Sequence, residues 1–252
     1  MSFAPYIARD RTFQRFLFDF YIVNETGKQW YDGSPNQWMQ EREWCVNRLR
    51  EGMTVVDCGA HHGMMSLIFA NVVGPSGKVF AYEALSSNAR VIERNAALNG
   101  FRNIIVRPVG VGDSNSAMTA HYNSSNIVVV QNSAAAPGTE DAVVRMVRLE
   151  DDLPEETRVN LLKIDVEGHE LNALRGMAKI LLQRPAIDLE LHNFIFADKI
   201  STLKQIVSIL GPLNYTWELM GEIIDKPIDL GRTLDVERLV PFTNPHLLGV
   251  AD

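Results

Sequence analysis

Three short stretches concentrate the residue types that can do chemistry. The first is Val56-Asp57-Cys58-Gly59-Ala60-His61-His62-Gly63, an apolar run that ends in a carboxylate and continues into a two-glycine turn. The second is Lys163-Ile164-Asp165-Val166-Glu167-Gly168-His169-Glu170, and the third sets Asp188, Glu190 and His192 at alternate positions. A loop that grips a dinucleotide would read GxGxxG. Here Asp57 replaces its first glycine and the turn reads DxGxxxG. A carboxylate at that point repels pyrophosphate and suits a ligand carrying an ammonium and a sulfonium, as S-adenosylmethionine (SAM) does. Gly59 and Gly63 would let backbone approach such a ligand, with His61 between them, and the helix N-terminus that follows can hold the ligand's carboxylate.

Glu83 closes the run Phe80-Ala81-Tyr82. A carboxylate about 20 residues beyond a glycine turn can accept both hydroxyls of a ribose. Ala84 follows it, and the small-residue turn Val109-Gly110-Val111-Gly112-Asp113 can admit an adenine ring. Asp165 is expected to face the cofactor's ammonium and the reacting methyl. Methyl transfer to a hydroxyl needs in-line alignment and removal of a proton. His192 or His169 is the expected base, with Asp165 and Glu190 shaping the charge. His169 fits equally a hydrogen-bonded core histidine, because Leu171 and Leu174 turn the adjacent helix inward. Glu167 and Glu170 stand where a helix dipole favours acids, and for Glu170 that reading is preferred. Asp188 is expected to lie deeper and to be structural. Asp165, Glu167, Glu190, His169 and His192 could also offer oxygen and nitrogen ligands to a divalent metal that acidifies the acceptor. No tight HxxxH or CxxC spacing supports that alternative, so no residue is assigned to a metal.

Alternating strands and helices must position these residues. Strands are predicted at Thr54–Asp57, Lys78–Glu83, Asn103–Val109, Asn160–Val166 and Ala186–Leu191, with helices over Met64–Val73, up to Asn99-Gly100, and from Glu167 to Leu182. Apolar, β-branched strands alternating with helices indicate an α/β fold with a parallel sheet covered on both faces. Ligands then bind beyond the carboxyl ends of the strands, where these acids and histidines fall. Residues 1–51 read as an N-terminal appendage, with a strand over Phe16–Ile22 and a helix carrying Trp38, Cys45, Val46 and Leu49. The segment 114–148 reads as an insertion without helical period, with strands at Ile127–Val130 and Val143–Leu149. Ile200–Leu210 reads as a helix and Tyr215–Leu219 as a strand. Residues 1–252 are taken as one domain, with 52–252 as its core.

Among 252 residues, 24 are Lys or Arg and 31 Asp or Glu, for a formal net charge of −7. The scattered basic residues argue against a nucleic-acid surface. No apolar run approaches the ~20 residues that span a bilayer. Cys45 and Cys58 form no disulfide framework, so a cytoplasmic location is expected; a homo-oligomer is left open.

These residues resemble the FkbM-type family of SAM-dependent methyltransferases over roughly residues 52–193. The resemblance rests on the glycine-turn stretch from Val56 to Gly63, on Asn95-Ala96-Ala97-Leu98-Asn99-Gly100, and above all on Leu162–Glu170. It implies a Rossmann-like class I methyltransferase fold: a seven-stranded, mostly parallel sheet with helices on both faces and an antiparallel last strand. It also implies methylation of hydroxyl groups on natural products or sugars, so a small-molecule hydroxyl acceptor is expected. Family members usually carry Asn and an aliphatic residue at His61-His62, and Pro at Ala84. An NAD-dependent oxidoreductase would share the strand-turn-helix and the ribose acid but needs the missing glycine. A non-catalytic SAM-binding protein is the third alternative.

Overall fold

The computed structural model describes residues 3–13, 15–33, 39–123, 126–128, 140–221 and 226–251. β1 (Tyr6–Phe13) and β2 (Phe16–Ile22) form an antiparallel hairpin. Phe16, Phe18, Phe20 and Ile22 alternate into the core, as a strand with one buried face requires. A π-helical turn over Lys28–Gly33 leads to α1 (Met39–Arg48). Trp38, expected in this helix, lies outside the described residues.

The chain then runs through β3 (Thr54–Cys58), α2 (Met64–Val73), β4 (Lys78–Tyr82), α3 (Ser86–Leu98) and β5 (Ile104–Arg107). Next come β6 (Gly110–Val111), β7 (Ser116–Asn123), β8 (Asn126–Val128) and β9 (Glu140–Val147). The last part comprises β10 (Leu161–Ile164), α4 (Glu170–Arg175), α5 (Ala178–Leu181), β11 (Ala186–Glu190), α6 (Lys199–Leu210), β12 (Tyr215–Met220), β13 (Ile228–Gly231) and β14 (His246–Ala251).

The main sheet has the order β13-β12-β14-β11-β10-β3-β4-β5, parallel from β5 through β11. β14 runs antiparallel between β11 and β12, so the last strand is antiparallel as expected. The expected seven strands become eight, because β13 adds itself antiparallel to the edge strand β12. Its four residues are too few to announce a strand by alternation, yet Leu230 packs into the core.

Val56 and Cys58 enter one core cluster, with α4 and α6, while Val55 enters another, with the β1–β2 hairpin and α2. Burial on both faces is what a parallel sheet demands, and each fully buried valine adds about 1.5–3 kcal/mol. The chain leaves β3 towards β4 and β5 and returns to β10 on β3's other side. That reversal opens the crevice at the carboxyl ends of β3 and β10.

Two expectations need correction. The helix expected over 167–182 starts only at Glu170 and breaks into α4 and α5. Glu167 and Gly168 adopt φ of 50° and 92°, and a Cβ on Gly176 would stand 1.8 Å from the Gly112 carbonyl oxygen. The 114–148 insertion forms a sheet of order β6-β9-β7-β8, in which β7 went unpredicted. Of the expected strand Ile127–Val130, residues 129 and 130 lie outside the described residues. The strand expected at Val143–Leu149 runs over Glu140–Val147 instead, and a helical turn begins at Leu149. Among the described residues no helix is long and apolar enough to cross a membrane.

Candidate active site

The turn after β3 is held by main-chain bonds: Gly59 and Ala60 both donate to the Tyr82 carbonyl, at 2.9 and 3.0 Å. Gly59 has φ +84°, and a Cβ there would stand 1.7 Å from the Asp165 carbonyl oxygen. Only glycine lets β3 and β10 end this close together. Gly63, at φ +87°, closes the turn before α2. Glu83 ties β4 to the same turn, accepting from the His61 amide at 2.8 Å and the Leu85 amide at 2.9 Å. Burial pushes its carboxyl up to about 7 despite these bonds.

Asp57 is fully buried and takes the Ser66 hydroxyl on one oxygen at 2.6 Å. Its other oxygen has no hydrogen-bond partner, and burial raises the group to about 6. An orphaned carboxylate oxygen in a cavity wall fits a cationic donor such as an ammonium. Tyr31 donates to or accepts from His61 Nδ1 at 2.6 Å, and His61 stacks on His62 with ring centres 4.0 Å apart. Burial lowers the pKa of both rings, His62 to about 4, so the pair is neutral.

Tyr31, Asp57, Gly59, His61 and Glu83 line one cavity of ≈ 360 Å³. At one end lie Ala84, Gly110 and Met146, packed so closely that a Cβ on Gly110 would meet the Met146 sulfur at 2.6 Å. His169 belongs to this end. Its Nε2 would stand 3.1 Å from a Cβ on Gly112, and burial lowers its pKa.

At the other end Asp165, Glu167, Glu190 and His192 converge. Glu170, fully buried, accepts from His192 Nδ1 at 2.7 Å and from the Gly168 amide at 2.8 Å. It therefore orients His192 as well as opening α4, which its position in the sequence did not reveal. His192 Nε2 faces Glu167 Oε2 at 3.4 Å, Asp165 Oδ1 at 3.8 Å and Glu190 Oε1 at 4.0 Å. Burial opposes charge on His192, but Glu170, Asp165 and Glu190 outweigh it and raise the ring to about 9. Burial, with Asp165, raises Glu190 to about 8 and Glu167 to about 7. Asp165 is lowered in spite of burial because Lys163, His192 and His246 surround it. The structure thus joins three of the four expected catalytic residues and sets His169 apart.

Joined to this end is a network that the sequence alone did not reveal, whose Glu41 and Lys163 also line the cavity. Lys163 Nζ bridges Glu41 at 3.1 Å and Asp165 at 3.2 Å, and His246 Nδ1 meets Asp188 at 2.9 Å. Asp188 is fully buried, the deep position expected for it. A lysine inside the apolar strand Leu161-Leu162-Lys163-Ile164 was itself a signal of a buried partner. Glu41 gave none, since α1 brings it in by tertiary packing. Trp30 and Tyr31 from the appendage also line the cavity.

A switch-point crevice with a glycine turn, an anchored acid on the second strand and an open buried aspartate defines a class I SAM-dependent methyltransferase. Solved structures agree on the fold. A SAM-dependent O-methyltransferase from Thermotoga maritima is 14% identical, with 98% of this chain and 78% of that one covered at TM-score 0.50. An rRNA methylase from Streptococcus thermophilus is 11% identical, with 84% and 95% covered at TM-score 0.50. None of the curated proteins matches this chain. The family model for the methyltransferase FkbM domain matches residues 57–224, and the chain belongs to that family. It is a SAM-dependent methyltransferase, and the oxidoreductase alternative falls.

Proposed function

We propose that the protein methylates a hydroxyl group of a small molecule, using Asp165, Glu190 and His192 to receive the proton. The observation that carries this reading is the cluster of Asp165, Glu190 and His192 on the cavity wall. Asp57, Gly59, His61, Gly63, Glu83, Ala84, Gly110 and Asp165 would hold SAM, whose contribution is an electrophilic methyl on a positive sulfur. Glu83 offers its carboxylate to the ribose, and Asp57 its open oxygen to the ammonium. With no cation beside them His192 and Glu190 hold protons at neutral pH. A cation placed beside Asp165 lowers their proton affinity by Coulomb repulsion, which leaves a base next to the acceptor. Phe194, 60% exposed at the cavity rim, supplies an apolar surface for the acceptor's body.

The test has two stages. Calorimetric titration should show SAM binding, weakened at least tenfold by Glu83→Gln, and no binding of NADH. Labelled SAM is then offered with a panel of hydroxylated small molecules and, separately, with RNA. Label appearing on a small-molecule oxygen supports the proposal. Label on RNA alone, or SAM binding without transfer to any acceptor, overturns it.

A further inference from the structure

We propose that His192 Nε2, Asp165 Oδ1 and Glu190 Oε1, joined by Glu167 Oε2, form a binding site for a first-row divalent metal ion. These groups come from the ends of two adjacent strands and the turn after one of them. The ligand atoms of Asp165, Glu190 and His192 all lie within 4.8 Å of one another. The inference goes beyond the methyl-transfer reading; an ion bound here would occupy the lone pairs of His192, Asp165 and Glu190, so the proton-receiving role proposed for them applies to the metal-free chain.

Two observations favour an ion over a simple hydrogen bond. The first is the aim of His192. Its residue is 97% buried (3% exposed), its Nδ1 is fixed by Glu170 at 2.7 Å, and its Nε2 therefore points into the group of carboxylates. A charge-assisted N–H···O bond would draw one carboxylate to about 2.7–2.9 Å. Instead Nε2 has three carboxylate oxygens around it, at 3.4, 3.8 and 4.0 Å, and no hydrogen bond to any of them. Atoms that each sit about 2.1 Å from a shared ion lie about 3–3.5 Å from one another, so the 3.4 Å contact already fits and the 3.8 and 4.0 Å contacts need only close by a few tenths of an ångström.

The second observation is that the groups behind the cluster are held as outer partners of metal ligands are held. A ligating histidine almost always gives its second ring N–H to a carboxylate, the place Glu170 takes here. Lys163 holds the other oxygen of Asp165 at 3.2 Å. His246 stands 3.7 Å from the other oxygen of Glu190, and Asn244 donates to Glu190 Oε1. Asp165, Glu190 and His192 are thereby each held in place by a neighbour. One imidazole with carboxylates suits Mn²⁺, Fe²⁺ or Zn²⁺ better than Mg²⁺ or Ca²⁺, which prefer oxygen alone.

The probe is Mn²⁺, added to metal-stripped full-length protein and followed by the electron paramagnetic resonance signal of the free ion, with calorimetry alongside. One ion should bind per chain without SAM present. His192→Ala and Glu190→Gln should each weaken binding at least tenfold, and Glu170→Gln should weaken it 10–100-fold although it touches no ion. Thermal melts identify any variant that fails to fold, and the remaining variants then decide. Absence of saturable binding at millimolar Mn²⁺, or binding that all three folded variants leave unchanged, overturns the proposal. SAM titration of the same metal-free samples tests the methyltransferase reading separately.

Discussion

Two histidine–carboxylate groups share strands β10 and β11, and they differ in what completes them. In the first, Glu41, Asp188 and His246 are all buried, although Glu41 reaches the cavity wall, and each meets a close opposite charge: Glu41 meets Lys163 at 3.1 Å, and Asp188 meets His246 at 2.9 Å. At the cavity, Asp165 and Glu190 are part-exposed, and His192 Nε2 faces three carboxylates without closing on one. The same residue types make a sealed brace in the first case and an open site in the second. Satisfaction of charge, rather than residue identity, separates structure from function here.

Removing the sealed cation should have the largest effect. Lys163→Met leaves Glu41 and Asp165 without their shared partner, and unpairing a buried charge costs about 3–5 kcal/mol. Urea unfolding would read this directly, and Glu41→Gln combined with Lys163→Met should recover part of the loss. A cost below about 1 kcal/mol would show that paired charge does not hold the brace.

The open group should respond in the opposite way. His192→Asn is expected to lower methyl-transfer turnover by about 10²-fold or more, the usual contribution of a positioned base. SAM affinity should stay within about threefold, because His192 is not among the residues proposed to hold SAM. If turnover and SAM affinity fell together, His192 would belong to the cofactor site instead.

Stability against pH probes both groups at once. His192 and His246 titrate at about 9 and about 10 in the folded chain, for although burial opposes their charge, the carboxylates around them outweigh it. Both values exceed the unfolded ~6.5, so their contribution is full below pH ~6.5 and is lost as pH rises through 9 and 10. Glu190 at about 8 and Glu167 at about 7, raised chiefly by burial, keep protons that the unfolded chain releases near 4.3, which acts in the same direction. Asp188 works at the far end: held near 2 by His246 and Lys163 against burial, it supports the fold until strong acid. Melting temperature should therefore fall between pH 6.5 and 10, by about 5 °C or more. A flat profile would mean that these histidines are neutral in the fold.

What the sequence made legible was local. The β3 turn follows from an apolar run, two glycines and a helix pattern, and both glycines do make the expected tight turn, each in left-handed backbone. Glu83 was found because strand length fixes its distance from that turn. Glu41 and Tyr31 were illegible because packing between distant elements delivers them. The break between α4 and α5 escaped notice for the same reason: Leu171-Asn172-Ala173-Leu174-Arg175 is good helix sequence, and what stops it is the Gly112 carbonyl against Gly176. In β7, Ser116–Asn123 mixes small and polar residues, so alternation never stood out.

The smallest effect is expected away from both groups, at the histidine pair of the β3 turn. His61 lines the cavity, donates its amide to Glu83 and bonds Tyr31; His62 lies beneath it, fully buried, and does not reach the cavity. Neither ring nitrogen of His62 makes a hydrogen bond of good geometry, although Asn88 lies close enough to favour its charged form slightly. A buried polar group left in that condition costs about 1–3 kcal/mol. His62→Leu keeps the volume and discards the polar atoms, so unfolding free energy should rise by about 1 kcal/mol with SAM affinity within threefold of wild type. The tight fit against Gly27, where a Cβ would stand 2.9 Å from the ring, limits the gain, since a branched side chain must settle into the same space. If His62→Leu instead destabilised the protein by 1 kcal/mol or more, the ring stacking on His61 would be part of the site, and the sealed region would extend into the cofactor turn.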